Sequence, residues 1–398
     1  WKLWEKDSYK VDQDSLRGVF NLEMDVLDVI CNMELRGADI DVAELSKLKS
    51  NLELQLETTK ADIYRLAGKA FNINSVPEKQ KILFSPKKEG GRGLRPKILT
   101  PAGEKRMEAG QPTSVNDYSV AEPAIKMFEG KDDLVDSLIN YSDLNKLLTT
   151  YVIPYLGGDI VRTTSGKSKT VAKRSLLLKG RIHTDFIQYG AETGRFSSRN
   201  PNLQNVPAPH TVNGKAIRNL FVAPEGPSLV VADYSQIEPR VIASFSGDRI
   251  MCSSYLEGGD IYTTVGDTMG VDRKAGKVLV LSLAYGVGPD KIASQIGCTV
   301  AEARDLLDDF AAKFSSVGKY KKLVIAESRR RGPVPYALTY MKRRRYLPEL
   351  RSPLVWERAR AERQAFNTVI QGSAADLIKL AMIRAHKLIP DRSKLILT

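Results

Sequence analysis

Residues 15–67 repeat apolar side chains at helical spacing, and that pattern constrains the chain more than any other feature. In VFNLEMDVLDVICNMELRG (19–37), Leu22, Val26, Val29, Ile30 and Met33 fall on one stripe, and Gly37 stands where a helix would close. A second helix is expected over roughly 41–68, opening near Asp41 and rich in Leu, Glu and Lys. Helical spacing returns at about 119–150, through most of 239–330, and over 356–389, where Gly372 is the weak point of one helix or the divide between two. Strand character is scarce. In SLVVADYSQIE (228–238), Val230, Val231 and Ala232 predict a buried strand with Asp233 at its C-terminal edge. The Gly/Pro-rich basic stretch 85–112 reads as a loop, and the polar, basic 157–180 as a hairpin or loop.

Charge narrows the partners. The net charge is +13 over 398 residues, and it is clustered. Residues 162–181 hold seven basic residues and no acid; residues 319–345 hold ten and a single acid, Glu327. Clusters of this kind favour a polyanion over an evenly solvated basic coat. No apolar run is long enough to span a membrane. Cys31, Cys252 and Cys298 are few, odd in number and far apart, which fits a reducing compartment and builds neither a disulfide framework nor a zinc site. With only His183, His210 and His386 available, a bound metal would have to be a hard cation held by carboxylates.

Four segments carry candidate chemistry. In DYSQIEPR (233–240), Asp233 at a strand end is a rigidly presented metal ligand or a plain turn residue, and Glu238 a second ligand or a steric element. TGRFSSRNPNLQNVP (193–207) is too polar for a core and reads as a structured loop. In DRKAGKVLVLSLAYG (272–286), Arg273, Lys277, Leu281 and Tyr285 recur every four residues. On a helix they would offer cations for a triphosphate at one end and an aromatic for a base at the other. By composition alone VLVLSLAYG is equally a buried strand. In ERQAFNTVIQGSAADLIKLAMIRA (362–385), Arg363, Asn367 and Gln371 recur at the same spacing, giving a polar face suited to minor-groove acceptors or simply to solvent.

Together these segments resemble, in order, those of a family A DNA polymerase of the bacterial DNA polymerase I type. VVADYSQIEPRVIASFSGD resembles its motif A and DRKAGKVLVLSLAYG its motif B. TGRFSSRNPNLQNVP, YMKRRRYLPEL (340–350) and RQAFNTVIQGSAADLIKLAM are similar to three further family segments, and MELRGADIDVAEL with FNINSV to the family's thumb. The resemblance covers nearly the whole chain and implies an α+β right-hand fold of thumb, palm and fingers, mostly helical, with an antiparallel palm sheet that is incomplete here. It divides the chain into thumb and supporting helices (1–165), first palm half with motif A (166–238), fingers with motif B (239–350) and return helices (351–398).

The implied activity is template-directed addition of deoxynucleotides to a primer 3′-hydroxyl with two magnesium ions. The resemblance assigns Asp233 and the carbonyl of Tyr234 to the metals, and catalytic roles to Asp233, Arg273, Lys277 and Tyr285. Nucleotide binding falls to Tyr234, Ser235, Gln236, Ile237, Glu238, Tyr262, Arg273, Lys277, Leu281 and Tyr285, with Glu238 excluding a ribose 2′-hydroxyl. DNA binding falls to Arg195, Asn202, Gln204, Asn205, Arg218, Arg343, Arg344, Arg345, Arg363, Asn367 and Gln371. Primer–template DNA and deoxynucleoside triphosphates are the implied partners of a cytoplasmic monomer, with a processivity factor or separate nuclease left open.

Some positions depart from the family pattern. Leu281 stands where Phe or Tyr is usual, a mild hint of a phage source. Pro239 replaces Leu, Tyr262 replaces a common His, and Gly276 weakens its helix by roughly 1 kcal/mol relative to Ala. The resemblance leaves no room for a 3′–5′ exonuclease before the thumb. It places KLILT (394–398), read as a short strand, just ahead of a His-Asp-Glu turn whose Asp would be the second catalytic carboxylate. The expectation is a truncated, inactive fragment of a polymerase. A single-subunit RNA polymerase is opposed by Glu238 and TGRFSSRNPNLQN. A non-catalytic primer–template binding descendant fits the chain as written, and a basic metabolic enzyme would make five ordered motifs a coincidence.

Overall fold

The computed structural model describes residues 17–164, 167–209, 211–224, 226–390 and 393–396. They form two compact units, one built from 17–35, 185–199 and 230–396, the other from 36–184 and 200–229.

In the first unit the Arg17–Arg36 helix buries Leu22, Val26, Val29, Ile30 and Met33, the stripe marked by the sequence, in a cluster with Phe186, Met382 and Ile383. Each such side chain contributes about 1.5–3 kcal/mol when fully removed from water. Helices run almost without pause from Ile237 to Arg330, and their apolar faces meet in one core around Ile242, Ile261, Val265, Leu279, Val280, Phe310 and Phe366. Two short antiparallel hairpins complete the unit: Asp185–Ile187 with Ser197–Arg199, and Tyr336–Leu338 with Arg344–Tyr346. Near the C-terminus the Val355–Asn367 helix leads through a π-turn, Thr368–Gly372, into the Ser373–Leu388 helix. Gly372 thus sits at the divide between two helices.

The strand reading of VLVLSLAYG gives way to a helix, Arg273–Tyr285, capped by Asp272, whose carboxylate accepts from the Ala275 amide at 2.7 Å. Tertiary packing overrides β-propensity here. Leu279 and Val280 enter the core, and the Ile261–Met269 helix comes so near that a Cβ on Gly276 would lie 2.3 Å from the Tyr262 carbonyl oxygen. That closeness offsets the propensity cost of glycine in mid-helix.

In the second unit the Val42–Ala67 helix starts at Asp41, whose side chain accepts from Glu44 N at 2.9 Å. It shares a core cluster with Leu144, Leu147 and Leu148. A small antiparallel sheet places Arg181–Ile182 between Ala38–Asp39 and Leu177–Leu178, and Gly158–Thr164 pairs antiparallel with Lys167–Lys173, the hairpin of the two alternatives left open for 157–180.

Three expectations are corrected. Residues 227–234 form no strand, and Val230 and Val231 are 90% and 93% exposed. A strand is held by hydrogen bonds to a neighbouring strand, and among the described residues none runs beside this segment. The 85–112 stretch is not all loop: Thr100 caps a Pro101–Glu108 helix by accepting from Gly103 N at 3.1 Å. Residues 394–396 carry no strand among the described residues, and 397–398 lie outside them.

This exposure makes a prediction. Replacing both Val230 and Val231 with Thr changes stability by less than about 0.5 kcal/mol in a denaturant titration, whereas Ile242→Ala in the helical core costs about 2–5 kcal/mol. A loss above about 2 kcal/mol for the Val pair would show the segment to be buried.

Candidate functional site

Residues 233–238 turn from exposed coil into helix. Asp233, Tyr234 and Ser235 are exposed, and the helix Ile237–Ser246 begins directly after Gln236. Gln236 takes the left-handed conformation (φ +55°, ψ +44°), which costs a non-glycine residue about 1–3 kcal/mol. Side-chain bonds hold it there: its Nε2 donates to Asp260 Oδ1 (3.2 Å) and its Oε1 accepts from the Tyr255 hydroxyl (3.2 Å). Arg240 braces the same turn, donating to the Ser235 carbonyl at 2.9 Å with its guanidinium 4.2 Å above the Tyr255 ring. Ile237 packs against the helical core. Glu238 is buried, 6% exposed, and its carboxylate is paired with Arg195.

Asp260 is the hub on the other side of this turn. As N-cap of the Ile261–Met269 helix it accepts from the Tyr262 amide at 2.8 Å, while its Oδ2 accepts from Arg273 Nε (3.0 Å) and Nη2 (2.6 Å). Burial raises the Asp260 pKa, but hydrogen bonds from Arg273 and the Tyr262 and Thr263 amides lower it further, leaving it below the ordinary carboxylate value. The Tyr262 ring lies 5.5 Å from the Arg273 guanidinium and 5.9 Å from Lys277 Nζ. Burial first, and then Asp260, raise the Tyr262 pKa, so its hydroxyl stays a neutral donor. Arg273 and Lys277 are both exposed, one turn apart, and Lys277 has no carboxylate partner among the described residues. Leu281 is half-buried one turn on; the side chain of Tyr285 lies outside the described residues.

The proposed DNA-side residues separate by environment. Asn367 and Gln371 are half-buried, with no side-chain hydrogen bond among the described residues. The π-turn between them shifts Gln371 from the i+4 face that the sequence spacing implied. Arg363 is exposed, and its methylenes lie against Gly286. Arg344 lies 5.1 Å over the Tyr336 ring, and Arg345 Nη1 donates to Thr368 Oγ1 at 3.4 Å. Arg343 differs: it is largely buried and forks onto Asp376 Oδ1 through Nε (3.0 Å) and Nη2 (2.7 Å). Asn202, Gln204, Asn205 and Arg218 belong to the second unit. There Asn202 Oδ1 accepts from the Gln204 and Asn205 amides at 3.1 and 3.2 Å, and Arg218 Nε donates to the Pro207 carbonyl at 2.9 Å. These bonds shape the 200–207 loop and leave the side chains of Gln204, Asn205 and Arg218 exposed.

A pair of magnesium ions needs several convergent carboxylates. Among the described residues no group of three His, Cys, Asp or Glu side chains could hold a metal ion, and Glu238 is committed to Arg195. Asp233 offers one exposed carboxylate, so the described residues do not make the two-ion site by themselves.

Sequence reasoning missed Asp260, Glu23, Asp376 and Lys379. Asp260 sits in an ordinary cap position, and nothing local announces its reach to Arg273. Asp376 and Lys379 did leave a signal: they stand three apart, in helical register with buried Met382 and Ile383, where apolar residues belong.

The Asp260–Arg273 pair has a pH signature. A carboxylate with a depressed folded pKa stabilises above its unfolded value, here 3.8, and loses that contribution as pH falls through the lower folded value. NMR titration of the Asp260 carboxyl is expected to give a midpoint below 3.8, rising in Arg273→Ala; an unchanged midpoint would dissolve the pairing.

Comparison with known proteins completes the picture. The sequence model of DNA polymerase family A matches residues 42–398. The thermostable DNA polymerase I of Thermus filiformis is 35% identical over 365 residues, 89% of this chain and 39% of its own length. DNA polymerase I of Chloroflexus aurantiacus is 33% identical over 379 residues, covering 92% and 36%. The chain therefore spans under half the length of these curated relatives. In structure it is similar to the POL domain of Pol1 from M. smegmatis in complex with DNA primer-template and dNTP, with a TM-score of 0.77 and 30% identity over 96% of this chain and 65% of that one. The fold is that α+β polymerase fold, and the chain belongs to DNA polymerase family A.

Proposed function

We propose that this protein catalyses template-directed addition of deoxynucleotides to a primer 3′-hydroxyl. The observation that carries the reading is the pair of exposed cations at the start of the Arg273–Tyr285 helix, Arg273 and Lys277, flanking one tyrosine ring beside the 233–238 turn. An incoming triphosphate supplies the counter-charge that Lys277 lacks among the described residues. The Arg273 fork suits two phosphate oxygens and Lys277 acts as a point charge. To bind phosphate, Arg273 exchanges Asp260 for the ligand, so the carboxylate holds the fork in place beforehand. Tyr262 adds a neutral phenol beside both cations. Leu281, one turn further, lies against the sugar and base, and Tyr285 ends the helix at the templating position. Tyr234, Ser235, Gln236 and Ile237 form the floor that leads to Glu238. We assign Glu238 the exclusion of a 2′-hydroxyl: it is buried and fixed by Arg195, so it has no freedom to move aside for an added oxygen.

Primer–template DNA is the proposed second partner. Asn367 and Gln371, whose side chains have no hydrogen-bond partner among the described residues, offer donors to minor-groove acceptors, which occupy similar positions in every base pair. Arg344, Arg345 and Arg363 in the first unit, and Asn202, Gln204, Asn205 and Arg218 in the second, are assigned to sugar–phosphate contacts, which position without reading sequence. Arg343 is reassigned from DNA contact to internal support, because its fork is already occupied by Asp376. Asp233 and the Tyr234 carbonyl are this segment's contribution to a divalent-cation site, magnesium by its oxygen-only ligands. Thumb, palm and fingers are assigned to 1–165, 166–238 and 239–350, with return helices over 351–398.

Single-nucleotide primer extension by the intact gene product, with binding measured separately, tests this. Arg273→Ala and Lys277→Ala should each weaken nucleotide binding roughly 10- to 100-fold, the worth of a charge-assisted hydrogen bond. Primer–template affinity should change little in these variants and fall steeply with salt. Binding of nucleotide without any dependence on the template base would defeat the proposal.

A further inference from the structure

Glu23 lies on the Arg17–Arg36 helix, ahead of the residues matched by the family model. Its carboxylate accepts from Arg343 Nη2 and from Lys379 Nζ, each at 2.5 Å, and from Gln188 Nε2 at 2.6 Å. Asp376, fully buried, accepts from the other edge of Arg343 and from Thr339 Oγ1 at 2.6 Å. Two carboxylates and two cations thus neutralise one another in a region where Lys379 is 1% exposed. Burial at this depth is tolerated only with such pairing.

Every partner of Glu23 touches the same loop, 188–196. Gln188 is its first residue. The Arg343 side chain lies against Gly194, where an added Cβ would come within 2.6 Å of Nε; Gly194 also has φ +78°. Lys379 Nζ lies 4.9 Å over the ring of Phe196. Between Gly194 and Phe196 stands Arg195, the partner of buried Glu238. We propose that Glu23 is a positioning residue: through Arg343 and Lys379 it fixes the loop that carries Arg195, and so sets how rigidly Glu238 excludes ribonucleotides.

The proposal rests on the reading of Glu238 given above, and the test separates the two. In the intact gene product, kcat/KM is measured for matched deoxy- and ribonucleotides. Glu23→Gln removes the charge and keeps the shape. The deoxy-to-ribo ratio is expected to fall about 3- to 30-fold, the range found for residues coupled to a site without touching its ligand. The fall should come from a gain in ribonucleotide kcat/KM, a change that general loosening does not produce. Glu23→Asp should restore part of the ratio. Should Glu23→Gln fail to fold, Gly194→Ala decides, since it keeps all four charges and drives a Cβ into Arg343; the same gain in ribonucleotide use is expected. If Glu238→Ala relaxes the ratio but neither Glu23→Gln nor Gly194→Ala does, the positioning role is overturned. If Glu238→Ala itself leaves the ratio unchanged, it is the gate assignment that fails.

Discussion

The first unit depends on a neutral cluster of four ionisable groups, buried Asp376 and Lys379 with half-buried Glu23 and Arg343. Removing such charges from water costs several kcal/mol per ion unless each finds an opposite charge and full hydrogen bonding. Here the pairing joins segments far apart in the chain: the first helix, the 339–343 turn and the last helix. Hydrophobic burial around Leu22, Val29 and Met382 supplies attraction without direction. The ionic cluster supplies direction, because a guanidinium fork donates to carboxylates only in its own plane. The loop bearing Arg195 is therefore located by groups that lie outside the proposed site.

A second constraint sets the proposed nucleotide-binding side. Gly276 lets the Arg273–Tyr285 helix press against the Ile261–Met269 helix, and that contact brings Tyr262 beside Arg273 and Lys277. Asp260 then ties Arg273 to Gln236, whose left-handed backbone starts the helix carrying Glu238. A glycine that looks like a weakness when the helix is considered alone becomes the condition for packing two helices at this distance.

Much of the fold was legible because it is written in local periodicity. The stripe from Leu22 to Met33, the Asp41 cap and the break at Gly372 all stand where the spacing put them. The site was legible to a lesser degree. Arg273 and Lys277 do occupy successive turns of one helix, one of the two alternatives their segment left open. Asn367 and Gln371 do not keep simple i+4 spacing, since a π-turn intervenes, and residue spacing carries no sign of such a turn. Arg343 looks like its neighbours Arg344 and Arg345 in sequence, yet its fork is spent on Asp376 and Glu23. Only its pairing with them in the folded chain distinguishes it.

The sequence by itself determined the long amphipathic helices, the Asp41 cap and which motifs stand in family order, because propensity, amphipathic spacing and capping act over a few residues. Tertiary structure decided the rest. It made VLVLSLAYG a helix, since neighbouring helices reward that face for burial more than β-propensity opposes it. It left Val230 and Val231 exposed, since a strand exists only with a partner to accept its hydrogen bonds. It also chose which charges are internal supports and which face outward, because the sign and number of charges are local facts while their pairing depends on the path of the whole chain.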